Sequence, residues 1–361
     1  YKVNRNGNFT VPNDKSIGVR AIGYERKFYT SSGKIFLSPL IPKALYLSSF
    51  GATNLQIMKN AKELMKNTEI NSLVIDVKMD RGQVAFVSSN PMAKNIGAQE
   101  LILFKNLPNF IRELKKEGIY TIARIVTFKD TPLATAYPQW SIKTTKGEFF
   151  KDKEGLRWID PSIKESWSYV LSIAKESAKC GFDEIQFDYV RFPDRKGIEF
   201  SVKNTSTERI KAISDFLETA RKELTPYNVF ISADIFGYVS WDDGDLEIGQ
   251  KIENISKHVD YLSPMLYPSG FHVGIPGHRN PVVSNYEIIK QSLDRSLQKS
   301  KGSPLAYRPW LQAFRDYAFD KRIYGEKEIR AQIKASEDFG SAGWILWNPR
   351  NVYTSAGLTK E

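Results

Sequence analysis

Glu184-Ile185-Gln186-Phe187-Asp188-Tyr189-Val190 is the stretch on which the fold turns. Ile185 and Phe187 alternate with polar side chains, and the period of two of a strand sends Glu184, Gln186 and Asp188 to the opposite face. Before it, residues 162–179 carry apolar side chains three and four apart, and residues 207–224 after it do the same, so a helix is expected on each side. The next apolar run, 229–236, then reads as another strand. Strand, helix and strand in this order predict parallel pairing through helical crossovers.

The same alternation extends in both directions. Strand-like runs are expected at 44–49, 72–78, 120–128, 184–190, 229–236, 261–267, 309–314 and 343–347, with helical periodicity at 54–67, 100–117, 162–179, 207–224, 244–257, 286–299 and 326–339. Eight strands with intervening helices predict an α/β fold, a closed (β/α)8 TIM barrel over residues 43–361, with a doubly wound open sheet as the alternative. Residues 1–42 do not fit the repeat and are expected to form a small, basic, β-rich N-terminal extension. The aromatic stretch 131–161, after the third strand, is too long for a plain connection and is expected to form a lid or wall.

Composition narrows the chemistry. The chain has 361 residues, 41% hydrophobic and 26% charged, the balance of an ordinary globular protein. One cysteine, Cys180, excludes a disulfide framework and a cysteine-held cluster. The three histidines His258, His272 and His278 match no zinc spacing, so neither a metal nor an organic cofactor is expected. The net charge of +11 is uneven, since residues 1–66 hold eleven Lys and Arg against three acids. A basic leader on a near-neutral body suits an anionic cell-envelope surface rather than nucleic acid, and an exported or envelope-associated protein is expected. Equally, the leader could be a solvated lysine-rich surface. No GxGxxG, Walker or GxSxG sequence occurs in a strand-to-helix context.

In a barrel of this kind the site lies at the carboxyl ends of the strands. Asp188 ends the inner face of the fourth strand, and Asp234, sharing a face with Ser232, ends that of the fifth. Adjacent strands are ~4.8 Å apart, which allows two carboxyl groups at the separation that glycoside hydrolysis uses. Asp188 is expected to be nucleophile or base, and Asp234 the general acid, its pKa raised by burial near Asp188. Either acid alone could instead neutralise Arg124 or Arg191. Asp76 and Lys78 share a face of the second strand and, with Arg124 on the third, are read as ion-pair partners or sugar contacts. Gln186 and Gln312 are further inward candidates, and Arg191, Tyr267 and Trp347 are expected to position the sugar. Trp241 and Trp310 complete a set of rim aromatics suited to stacking on sugar faces.

A set of motifs carries a family likeness: Val74-Ile-Asp-Val-Lys78, Asp183-Glu-Ile-Gln-Phe-Asp-Tyr-Val-Arg-Phe-Pro193, Ile231-Ser-Ala-Asp-Ile-Phe-Gly237, Asp260-Tyr-Leu-Ser-Pro-Met-Leu-Tyr-Pro-Ser269, Arg308-Pro-Trp-Leu-Gln312 and Gly343-Trp-Ile-Leu-Trp-Asn-Pro349. Over residues 43–350 the chain resembles a bacterial family of glycosyl hydrolase TIM barrels known as a domain of unknown function. The resemblance implies a barrel of the amylase-like and chitinase-like kind, often exported and wall-associated, with Asp188 and Asp234 as the strand-four and strand-five acids. The chain departs from the family pattern at Met79, Gly270 and Ala313, where an acid, a His and an Asp are common, and Asp316 stands three residues past the last. These departures motivate a rival reading, an inactive barrel that binds glycans; a third is an anionic-polymer binder acting through residues 1–66. Against the chitinase pattern DxxDxDxE, Val190 falls on the proton-donating Glu, so protonation is expected from another strand, with Asp234 nearest.

Overall fold

The computed structural model describes residues 16–30 and 33–360. Eight parallel strands close into a barrel in sequence order: β1 (Lys43–Leu47), β2 (Ser72–Lys78), β3 (Tyr120–Val126), β4 (Glu184–Asp188), β5 (Phe230–Phe236), β6 (Tyr261–Met265), β7 (Trp310–Gln312) and β8 (Trp344–Trp347). β8 pairs with β1, so the sheet has no free edge. The open-sheet alternative is thereby excluded.

Period-two alternation builds two cores. Ala44, Tyr46, Val74, Tyr120, Ile122, Phe230, Tyr261, Trp310 and Ile345 fill the barrel interior. Leu45, Leu73, Ile75, Ile125, Ile185, Phe187, Ile231 and Leu311 pack outward against the helices. The main helices are Leu55–Asn67, Leu107–Lys116, Lys164–Lys179, Ser206–Leu224, Asn285–Ser300 and Glu326–Phe339.

Two helices are shorter than their periodicity suggests. The helix expected from residue 100 starts at Leu107, where the Asn106 side chain accepts from the Asn109 amide and sets the N-terminus. Of the helix expected over 244–257, only Ile252–Ile255 forms. Leu246 and Glu247 take positive φ (51° and 58°), and the Leu246 amide is held by the Asp242 carboxylate, so this segment is a turn.

Within residues 16–42, Ile17–Val19 and Lys27–Tyr29 form an antiparallel ribbon at the amino ends of the barrel strands. Ile22 and Leu40 pack on the interior core. The Gly23 amide donates to the Tyr261 hydroxyl, and Arg26 donates to Asp183 Oδ1 and the Phe182 carbonyl. At Gly343 (φ 85°) a Cβ would lie 1.9 Å from the Pro42 carbonyl oxygen, so only glycine lets β8 meet the segment leading into β1. The first fifteen residues of the basic leader lie outside the described residues. No helix among the described residues is long and apolar enough to cross a membrane.

Candidate active site

The inward side chains of β4 run from floor to rim. At the floor Glu184 is fully buried, accepts from Arg308 Nη1 at 2.6 Å and from the Tyr120 hydroxyl at 2.9 Å, and is a structural ion pair. One level up, Gln186 donates to the Ser263 hydroxyl at 3.2 Å and is sealed from solvent. Asp188 emerges at the top on the wall of a cavity of about 380 Å³. Tyr189 follows with φ 49°, a left-handed conformation that a bulky residue adopts only under constraint, and it turns the chain over the rim.

Arg124 organises the carboxylates. From β3 it donates to Asp188 Oδ2 through Nε (2.9 Å) and Nη2 (2.5 Å), to Asp76 Oδ1 through Nη1 (2.7 Å) and to Asp80 Oδ1 through Nη2 (3.2 Å). Burial alone would lower its pKa, but Asp76, Asp188 and Asp80 together hold it well above the ordinary value. Asp76, which also accepts from the Tyr46 hydroxyl at 2.6 Å, is pushed up from 3.8 to about 6 because its desolvation outweighs the pull of Arg124. Asp188 completes its set with the Tyr189 amide on Oδ1 at 2.6 Å.

Asp234 stands beside this cluster. Gln186 and Phe187 align with Ser232 and Ala233, so Asp188 and Asp234 occupy the next step of neighbouring strands. Asp234 Oδ1 accepts from the Trp310 indole N–H at 2.7 Å, whereas Oδ2 is buried with no partner among the described residues. Its pKa is raised well above the ordinary value, first by burial and then by the Asp188 charge, which outweigh the Trp310 hydrogen bond and Arg124. A buried carboxyl with one unpartnered oxygen and a raised pKa holds its proton more tightly than an ordinary carboxyl.

Of the residues expected at the site, Asp188, Arg124, Arg191, Tyr267, Trp310 and Trp347 line the cavity together. Tyr267 and Trp347 lie 5.0 Å apart at 30°, and Trp310 packs edge-on to Tyr46 at 5.9 Å. Asp76 and Asp234 lie behind that wall, 4% and 1% exposed. Gln312 is buried between the Ser269 amide and hydroxyl. Trp241 stands in a neighbouring groove, its indole donating to Ser292 and its face under Arg295.

Lys78 is placed elsewhere. A register shift between Asp76 and Lys78 aligns Lys78 with the outward Ile125, so it leaves the face it was expected to share with Asp76. Fully buried, it pairs with Asp130 at 2.9 Å and donates to the Val126 carbonyl. The shift also leads the chain to Asp80 on the cavity wall, a residue the sequence reading passed over. Tyr46, Tyr238, Phe271 and Tyr317 were passed over as well, since nothing in their local sequence separates them from core aromatics.

The family departures also acquire positions. Ala313 packs into the outer core, away from the cavity, whereas Gly270 lines it. Asp316 accepts from the Ser269 hydroxyl and three backbone amides, which overcome burial and hold it far below the usual carboxylate range, so it cannot stand in as a proton donor. Val190 is buried in the outer core.

Comparison with known proteins agrees with this architecture. The glycoside hydrolase domain of PgaB (BpsB) from Bordetella bronchiseptica is 16% identical over 86% of this chain and 95% of its own, with a TM-score of 0.62. A chitinase from Chromobacterium violaceum ATCC 12472 is 10% identical over 88% of this chain and 96% of its own, at a TM-score of 0.51. At these identities both show the barrel fold. A hypothetical protein from Ruminiclostridium thermocellum ATCC 27405 is 36% identical over 53% of this chain and 96% of its own, with a TM-score of 0.48. No curated protein matches the chain. The family described as "Putative glycosyl hydrolase domain" matches residues 44–353, nearly the whole barrel, and the chain belongs to that family.

Proposed function

We propose that this protein is a glycoside hydrolase acting on a polysaccharide or cell-envelope glycan, with Asp188 and Asp234 as its two catalytic carboxyl groups. The observation that carries the reading is the contrast between them. Asp188 faces the cavity held by a guanidinium, and Asp234 lies buried beside it with its pKa raised by that burial and by the Asp188 charge, and with Oδ2 unpartnered. In hydrolysis Asp234 gives its proton to the glycosidic oxygen as the bond to the anomeric carbon breaks. Asp188 either bonds that carbon, to be displaced later by water, or takes a proton from the water that attacks it. Either route consumes one water and leaves both sugars with hydroxyl groups. Tyr267 and Trp347 offer stacking faces for the ring.

A second reading, a barrel that binds glycans without cleaving them, is favoured by one observation: both oxygens of Asp188 are engaged by protein donors, and Trp310 stands between Asp234 and the cavity. The two readings separate in one experiment. Reducing-end release is measured across a glycan panel for wild type, Asp188→Asn and Asp234→Asn, with binding followed by calorimetry and folding by circular dichroism. The hydrolase reading expects each variant to lose roughly 10²–10⁴-fold in rate while folding and binding persist. Binding without turnover in the wild type establishes the second reading, and unchanged rates in both variants refute the assignment of the acids.

A further inference from the structure

Arg191 stands where three hollows meet: the central cavity, the groove that holds Trp241, and a side pocket against the 131–161 segment. Its guanidinium lies 5.0 Å from the Trp158 ring centre and 5.3 Å from that of Tyr189, two rings whose centres are 5.6 Å apart, so both lie to one side of it. Nη1 donates to the Phe192 carbonyl at 3.0 Å. Whereas the buried arginines Arg124, Arg209 and Arg308 each hold a carboxylate, Arg191 has none within ion-pair distance among the described residues. A half-buried guanidinium left without a counter-charge is an unusual arrangement, because burial disfavours its charge.

The carboxylates around it are committed or exposed. Asp188 belongs to Arg124. Asp152 accepts from the Trp158 indole and two backbone amides and lies 3.4 Å from Lys129, which also takes Glu154 at 3.1 Å. Of these carboxylates among the described residues, only Asp194, on the exposed rim, is unengaged. Against it the side pocket carries Lys151, Lys153 and Arg195 as well as Arg191, so this arm of the cleft is net positive.

Resting on the reading that the central cavity binds a glycan, we propose that Arg191 anchors an anion subsite and that the glycan accepted here is acidic, bearing a carboxylate on the residue next to the one held at Asp188. Nε and Nη2 have no hydrogen-bond partner among the described residues, and a planar carboxylate is the anion that meets such a fork with two parallel hydrogen bonds. The basic side pocket then takes the continuing chain of a polyanion.

The test uses the full chain and matched ligands: tetrasaccharides of galacturonate and of hyaluronan, and an N-acetylmuramate-containing tetrasaccharide, each as the free acid and as its methyl ester or amide. Titration calorimetry in low salt is expected to show at least one free acid binding roughly tenfold or more tighter than its neutral partner. In Arg191→Gln that ratio falls to about one, and in Arg191→Lys, which keeps the charge but not the fork, it recovers only in part; thermal melts confirm that both variants fold. Equal affinity within every pair, or a preference that survives Arg191→Gln, overturns the proposal. Competition by inorganic phosphate with no acid preference overturns it in favour of a phosphate-bearing polymer. A preference for acids with no release of reducing ends refutes the hydrolase reading and leaves the subsite standing, whereas turnover of acidic and neutral glycans alike does the reverse.

Discussion

Replacing Arg124 with Leu removes the one cation that Asp76, Asp188 and Asp80 share, and its cost should depend on pH in a way set by Asp76. Asp76 is already strained in the wild type. At about 1.4 kcal/mol for each pH unit, raising it from 3.8 to about 6 makes its ionisation in the fold about 3 kcal/mol harder than in the unfolded chain. Because the folded value lies above the unfolded one, the associated stability is fully present below about pH 4 and is lost as pH rises through about 6. Without Arg124 the attraction that still favours the Asp76 anion disappears, so the window moves upward, and at neutral pH the fold must leave that charge unpaired or hold Asp76 protonated. Breaking a buried ion pair by removing one partner costs about 3–5 kcal/mol. That loss is expected at about pH 8. Near pH 4.5 less than about half of it should remain, because Asp76, once protonated, needs no counter-ion. Urea unfolding of wild type and Arg124→Leu at half-unit pH steps, followed by tryptophan fluorescence, gives the difference directly. A deficit that stays constant across the range would show that Arg124 acts through packing, and the charge argument would be wrong.

Further outcomes are equally concrete. If Asp234 donates the proton, kcat/KM should fall on the alkaline side as Asp234 finally ionises, and Asp234→Ala should lose that limb while regaining rate on aryl glycosides whose leaving group needs no proton; an unaltered profile would remove Asp234 from the mechanism. A thiazoline mimic of a cyclised acetamido intermediate should inhibit poorly, since Val190 is buried in the outer core where the chitinase pattern has its Glu; strong inhibition would count against two-carboxylate chemistry. Arg308→Met leaves Glu184 buried and unpaired and should cost about 3–5 kcal/mol in urea unfolding, a value under about 1 kcal/mol being incompatible with the pair as described. Deleting residues 1–42 should weaken low-salt binding to anionic polymers and also lower the melting temperature, because Ile22, Leu40 and Arg26 cover the barrel floor. An unchanged melting temperature would refute that covering role.

Much of this molecule follows from periodicity alone. Eight strands in order, the inward face of Glu184, Gln186 and Asp188, and the rim positions of Asp188 and Asp234 are consequences of alternation with period two, which any pleated strand obeys. Where that rule is broken locally the sequence carries no mark of it. Asp76-Val77-Lys78 reads as regular alternation to the end of the strand, yet the register shift turns Lys78 out to Asp130 and leads on to Asp80 in the cavity, because the shift is set by pairing with β3. The segment 244–257 has helical spacing, but its first half turns instead and only Ile252–Ile255 is helical, since the Leu246 and Gly249 amides are taken by Asp242 and Asp245. Partnership is the other thing only the tertiary structure decided. Composition cannot tell that Arg124 is shared among three acids, that Asp316 is exhausted by backbone amides, or that Arg191 is left without a carboxylate, because each depends on side chains that meet from distant parts of the chain. Local sequence determined which side chains point into the barrel; the closure of the barrel determined which of them found a partner there, and so which remain available for chemistry.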